Sequence, residues 1–118
     1  MITRFGDFEL DESEVELRRN GVAIELQPKV FDLLVHLVQH RDRVVSRSEL
    51  FAELWPDVRV GEAALNRAIR VLRRALEDDG ANQTRIRTFQ RRGYRFVARI
   101  GAQSRDSARR GSGSGGRA

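Results

Sequence analysis

Three arginines, Arg67, Arg70 and Arg74, recur at intervals of three and four residues within a stretch that holds no carboxylate between Glu62 and Glu77. At about 100° per residue this spacing sets them on one side of a helix with the small Ala63, while Leu65, Ile69, Leu72 and Leu76 fall on the opposite side. A guanidinium presents a planar fork of donors that matches phosphate oxygens or the O6 and N7 acceptors of guanine. The chemistry these residues suit is recognition of a polyanion. An exposed helix face that is merely solvated mixes its signs, as Glu–Arg pairs do, and this one does not. A second pair, Arg91-Arg92, stands within Gln90-Arg91-Arg92-Gly93 between two short apolar runs.

Other chemistries find less support. His36 and His40 stand one helical turn apart, a metal-compatible spacing, but there is no cysteine and no third ligand near them in sequence, so they read as surface histidines. No metal or cofactor is expected. No serine occupies a nucleophile elbow and no glycine-rich loop could cradle a phosphate, which argues against an enzyme. The absence of cysteine excludes disulfides and thiolate zinc sites. Charge is polarised along the chain: residues 1–58 hold 7 Arg or Lys against 12 Asp or Glu, and residues 59–118 hold 15 against 5. A basic half fits a nucleic-acid partner, although part of the arginine excess reflects composition, since 21 of the 22 basic residues are arginine. No apolar run approaches the roughly 20 residues that span a bilayer, and no signal-peptide pattern opens the chain, so a cytoplasmic location is expected.

The elements that must position these side chains can be read in order. The first 26 residues read as β: Phe8 and Leu10, Val15 and Leu17, then Val22, Ile24 and Leu26 alternate with polar residues, and Asn20-Gly21 suits a type I′ turn. Pro28 marks the start of a helix over 28–41, with Val30, Phe31, Leu33, Leu34, Leu37 and Val38 on its buried face. Val44-Val45 is an extended link, and Ser46-Arg47-Ser48-Glu49 is a capping box opening a second helix that ends at Trp55, before Pro56. Leu50, Phe51, Leu54 and Trp55 are its expected core residues. After the polar loop 56–61, a third helix is predicted over 62–77, closed by Asp78-Asp79-Gly80, with Arg74 pairing with Asp78. Ile86–Phe89 and Tyr94–Val97 then form a hairpin. Residues 101–118 are rich in Gly, Ser and Arg and are expected to be a disordered tail or linker after a domain over 1–100.

Strands, three helices and a terminal basic hairpin in this order resemble the winged-helix DNA-binding domain of the OmpR/PhoB family of bacterial response regulators. The resemblance rests on Leu26-Gln27-Pro28-Lys29-Val30-Phe31-Asp32-Leu33-Leu34, Arg43-Val44-Val45-Ser46-Arg47-Ser48-Glu49-Leu50, Leu72-Arg73-Arg74-Ala75-Leu76, Ile86-Arg87-Thr88 and Arg92-Gly93-Tyr94-Arg95-Phe96, and it spans about residues 5–98. It implies an α+β fold: a winged helix-turn-helix with an N-terminal antiparallel sheet, a three-helix core and a C-terminal hairpin wing. It implies a transcriptional regulator whose third helix enters the major groove of double-stranded DNA while the wing meets the minor groove. Ala63, Arg67, Ala68, Arg70, Val71 and Arg74 would face the groove. Thr88 would touch phosphate, Arg73 is a phosphate contact or a partner of Glu77, and Gln90 to Gly93 form the wing, so that Arg87, Gln90, Arg91, Arg92 and Tyr94 join the interface. Loop 56–61 is the candidate contact for RNA polymerase, and a monomer that pairs in tandem on direct repeats is expected. Two departures stand out: Gln90 and Arg91 occupy places where the family usually has arginine and glycine, and Gln27 replaces the usual Ser or Thr cap. No receiver domain precedes the fold, an arrangement similar to CadC-like and ToxR-like regulators, with any sensing module expected beyond residue 100. The alternative from another class is a protein-interaction module docking an acidic partner, and RNA is disfavoured because a single helix does not fit the deep, narrow groove of A-form duplex.

Overall fold

The structure, a computed structural model, describes residues 2–78 and 80–101. They divide into two compact units, one formed by the described residues up to Glu25 together with those from Arg99 onward, the other by Leu26–Ala98. The tail expected after residue 100 lies, from 102 on, outside the described residues.

The first unit is an antiparallel meander of four strands in sequence order, β1 (Ile2–Phe5), β2 (Phe8–Asp11), β3 (Glu16–Arg19) and β4 (Val22–Ile24). The register places Thr3, Leu10, Leu17 and Ile24 in one row and Phe5 opposite Phe8, and of these Thr3, Phe5, Phe8, Leu10 and Leu17 are buried. The opposite face carries charge: Arg4 binds Glu9 at 2.9 Å, and Arg18 lies among Glu9, Asp11 and Glu16. Asn20 and Gly21 adopt positive φ, as the turn reading requires. Val15 departs from that reading. It sits at φ 54° in the turn between β2 and β3 and is 67% exposed, so its alternation with Leu17 is not that of a strand.

The second unit is built on α1 (Pro28–Gln39), which packs against α2 (Arg47–Leu54), α3 (Glu62–Ala75) and the second strand of a hairpin made of β5 (Ile86–Phe89) and β6 (Gly93–Phe96). Gln27 gives α1 no side-chain cap, and Pro28 supplies the preset φ of the first turn instead. Val30, Phe31, Leu33, Leu34, Leu37 and Val38 are all buried, as the periodicity predicts. At α2 the capping box is half formed: Ser46 Oγ accepts the Glu49 amide at 3.1 Å, but the Glu49 carboxylate turns away to Arg43 and His36. Lys29 Nζ donates to the Leu54 carbonyl and so satisfies a free acceptor at the end of α2. Leu50 and Leu54 are buried, whereas Phe51 and Trp55 are half-buried, their rings tilted together at 6.0 Å.

Helix α3 stops at Ala75, two residues short of expectation, because Glu77 turns into the left-handed region and the Asp78 amide donates back to the Arg73 carbonyl. The expected Arg74–Asp78 pair is absent among the described residues. Asp78 instead accepts the backbone amides of Thr84, Arg85 and Ile86 and the Thr84 hydroxyl, which ties the helix end to the start of β5. Burial pushes the Asp78 carboxyl up, but these hydrogen bonds outweigh it and hold it below its usual value.

The hairpin is anchored from its inner strand. Val45 and Tyr94 exchange both backbone hydrogen bonds, at 2.8 and 2.9 Å, in an isolated antiparallel bridge between the α1–α2 link and β6. Gly93 makes this approach possible: a Cβ there would lie 1.9 Å from the Val45 carbonyl oxygen, and its φ of +143° is one that side chains rarely adopt.

Candidate nucleic-acid interface

The amphipathic pattern of α3 resolves into two faces. Leu65, Ile69, Leu72 and Leu76 are fully buried or nearly so, and Ala63, Arg67, Arg70 and Arg74 are exposed on the opposite side. Among the described residues Arg67, Arg70 and Arg74 form no ion pair and no side-chain hydrogen bond, so their donors face solvent without internal competition. Val71, 41% exposed, borders this face. Glu62 at the first turn and Arg73 and Arg74 at the last complement the helix dipole.

Three residues expected at the interface take internal positions instead. Ala68 is 6% exposed and belongs to the core, because it lies three residues after Leu65 and four before Leu72, on the same face of α3. The Arg73 guanidinium donates to the Ile86 carbonyl at 2.9 Å and to Thr88 Oγ1 at 2.8 Å; it fastens β5 to α3 rather than pairing with Glu77. Tyr94 is 4% exposed, and its hydroxyl accepts from Arg47 Nη1 at 2.7 Å.

The hairpin supplies the remaining candidates. Arg87 is exposed, with its guanidinium 5.0 Å from the Phe89 ring centroid. Gln90, Arg91 and Arg92 are exposed at the tip, with Phe89 paired to Gly93 across it and the Arg92 amide closing onto the Phe89 carbonyl at 2.9 Å. Arg91 sits at φ 63°, a left-handed conformation that glycine adopts freely and an L side chain only at a cost. Thr88 is half-buried and lines, with Asn66, Arg70, Arg73 and Arg74, a cleft of about 590 Å³ between α3 and the hairpin.

Two participants escaped the sequence reading. Asn66 is exposed on the arginine side of α3, where its place between Ala63 and Arg70 was a usable signal. Arg47 connects three elements: besides Tyr94 it donates to Glu62 and, at 3.3 Å, to Asn66 Oδ1, and its guanidinium lies 5.7 Å from the Tyr94 ring centroid. The sequence showed only its place in a capping box.

The histidines also differ from expectation. His36 is buried rather than a surface residue, and its Nε2 lies 2.6 Å from Glu49 Oε2. The rings of His36 and His40 are 4.4 Å apart, and one ligand atom from each of His36, His40 and Glu49 falls within 4.8 Å of the others. Folding α2 onto α1 thus brings in the third group that was missing near the pair in sequence. Arg43 holds the Glu49 carboxylate with two hydrogen bonds, at 2.9 and 2.7 Å, and Arg43 first and His36 second draw this carboxyl down to about 2.

Residues 21–96 match the family described as transcriptional regulatory protein, C terminal. The transcriptional activator CadC of Escherichia coli is 32% identical over 100 residues, covering 84% of this chain, which spans only 20% of the length of that protein. Among solved structures, the DNA-binding domain of E. coli CadC superposes with a TM-score of 0.72 at 31% identity, covering 84% of this chain and 94% of that one. The Klebsiella pneumoniae RstA DNA-binding domain, solved in complex with the RstA box, gives a TM-score of 0.72 at 26% identity over 81% of this chain and 96% of that one. No helix among the described residues is long and apolar enough to cross a membrane.

Proposed function

The chain belongs to this family of transcriptional regulatory C-terminal domains, of the OmpR/PhoB winged-helix type, and from that membership we propose that it is a sequence-specific reader of double-stranded DNA within a larger regulator. In this reading α3 enters the major groove and the tip of the hairpin, residues 90–93, meets the minor groove. The observation that carries it is the exposed, unpaired set Arg67, Arg70 and Arg74, presented by a helix whose other side is anchored in the core.

Two energetic contributions combine. Arginines that neutralise phosphates release counterions, so affinity falls with salt at a logarithmic slope of about −0.9 per phosphate. A forked arginine on guanine adds about 1 to 3 kcal/mol against the wrong base, and Arg67 and Arg70 are assigned that role. Arg74, Arg87, Arg91, Arg92 and the Thr88 hydroxyl are assigned to the backbone. A duplex selected from a random pool, titrated at fixed salt by fluorescence anisotropy, tests this. Arg67→Ala or Arg70→Ala should flatten discrimination between sites, whereas Thr88→Ala should weaken all sites about equally; indistinguishable behaviour of the two classes would count against the assignment.

The role is one of binding rather than catalysis, at cytoplasmic DNA. A monomer that pairs in tandem on direct repeats fits a domain reading few base pairs. Contact with RNA polymerase through loop 56–61 draws support from the groove of about 550 Å³ beside it, where half-buried Phe51 and Trp55 meet Val58, itself 60% exposed.

A further inference from the structure

We propose that His36, His40 and Glu49 form a binding site for a borderline divalent transition-metal ion such as zinc, bridging the end of α1 to the start of α2.

The donor set is two imidazoles and one carboxylate, which suits zinc, nickel or copper(II) and not magnesium or calcium, whose sites are built of oxygen. His36 stands in the last turn of α1 and His40 is the residue that caps its C-terminus, four positions on, which brings the two rings together, and Glu49 reaches them from the first turn of α2. Their ligand atoms already lie within 4.8 Å of one another. Tetrahedral coordination with metal–ligand bonds of about 2.0 to 2.2 Å asks for separations of roughly 3.4 Å. The 2.6 Å between His36 Nε2 and Glu49 Oε2 must therefore open by less than about 1 Å, a side-chain adjustment. His40 and Glu49 are half-buried, which leaves the fourth position to water.

Arg43 shapes the site in two opposed ways. Its grip on Glu49 fixes the carboxylate as an outer partner of a metal ligand does, while its charge opposes the incoming cation. Because Arg43 is exposed, it can keep Oε1 and yield Oε2 to the metal. The bound ion would brace the link that carries Val45, and through the Val45–Tyr94 bridge the base of the hairpin.

The test is a zinc titration of the full chain, free of any polyhistidine tag, against a chromophoric chelator, with thermal melting in parallel. One equivalent should bind with a Kd on the order of micromolar and raise Tm, since a ligand that prefers the folded state stabilises it. His40→Ala, a change at a half-buried helix end that leaves the buried His36–Glu49 contact in place, should weaken binding tenfold or more and abolish the shift. Failure of the intact chain to bind zinc at about 100 μM, or full binding by His40→Ala, would overturn the assignment.

Discussion

Gly93→Ala is the substitution whose cost the structure specifies most directly. The added methyl would stand 1.9 Å from the Val45 carbonyl oxygen and 2.9 Å from Ser46 Cα, and both neighbours are backbone atoms that no rotamer change can move aside. A φ of +143° would itself cost an alanine about 1 to 3 kcal/mol. Relief by separating the strands would break the two Val45–Tyr94 hydrogen bonds, worth about 0.5 to 1.5 kcal/mol each. The combined loss is therefore about 2 to 6 kcal/mol. For a domain of this size each kcal/mol moves Tm by roughly 4 to 8 °C, so a fall of about 8 °C or more is expected by calorimetry or circular dichroism. Gly21→Ala is the internal comparison: its φ is +83°, but nothing lies within 4 Å of the new Cβ, and the cost should stay near 1 kcal/mol. If Gly93→Ala melts within about 2 °C of the parent, or no lower than Gly21→Ala, the account of the hairpin anchor is wrong.

Other expectations follow from individual contacts. Arg91→Gly should relieve the left-handed strain and raise stability by up to about 1 kcal/mol while reducing the salt slope of DNA binding by about 0.9 if Arg91 contacts phosphate; denaturant melts and anisotropy read the two effects separately. Arg73→Ala, which frees the Ile86 carbonyl and Thr88 hydroxyl, should destabilise by about 1 to 3 kcal/mol in urea melts, an outcome that a purely DNA-facing arginine would not give. Glu49 ionises more readily when folded, at about 2 against an ordinary 4.5, so its contribution is complete above the ordinary value and vanishes as pH falls towards 2. The stability gap between the parent and Glu49→Gln should accordingly narrow between about pH 5 and pH 2.5, and a gap that stays constant would contradict the ion-pair account.

Legibility from sequence followed the range of the interactions involved. The stripe on α3 was readable because one helix periodicity fixes both the buried leucines and the exposed arginines, and Asn20-Gly21 and Pro28 act through their own backbone preferences. Arg73 and Tyr94 are assigned by chemistry or by resemblance and Arg47 only as part of a capping box, but the partners of all three lie 13 to 47 residues away and appear only when α2, α3 and the hairpin meet. Ala68 is assigned to the groove by resemblance alone, whereas the helical angle sets it within about 40° of Leu72, on the core side where it is buried. Glu49 was readable as a cap residue, and the pull of Arg43 and His36 on its carboxylate needed the fold. Val15 failed because two alternating residues do not distinguish a strand from a turn.

Arg47 has a mechanical consequence. By binding Glu62 and Asn66 at the head of α3 and Tyr94 at the root of the hairpin, one guanidinium acts as a gauge block for the interval between the helix and the hairpin, which under the proposed function is set before any duplex arrives. A rigid ruler of this kind meets its target with little ordering left to do. It also transmits error, so lengthening or shortening the residue at position 47 should shift how far apart along the duplex the two grooves are probed.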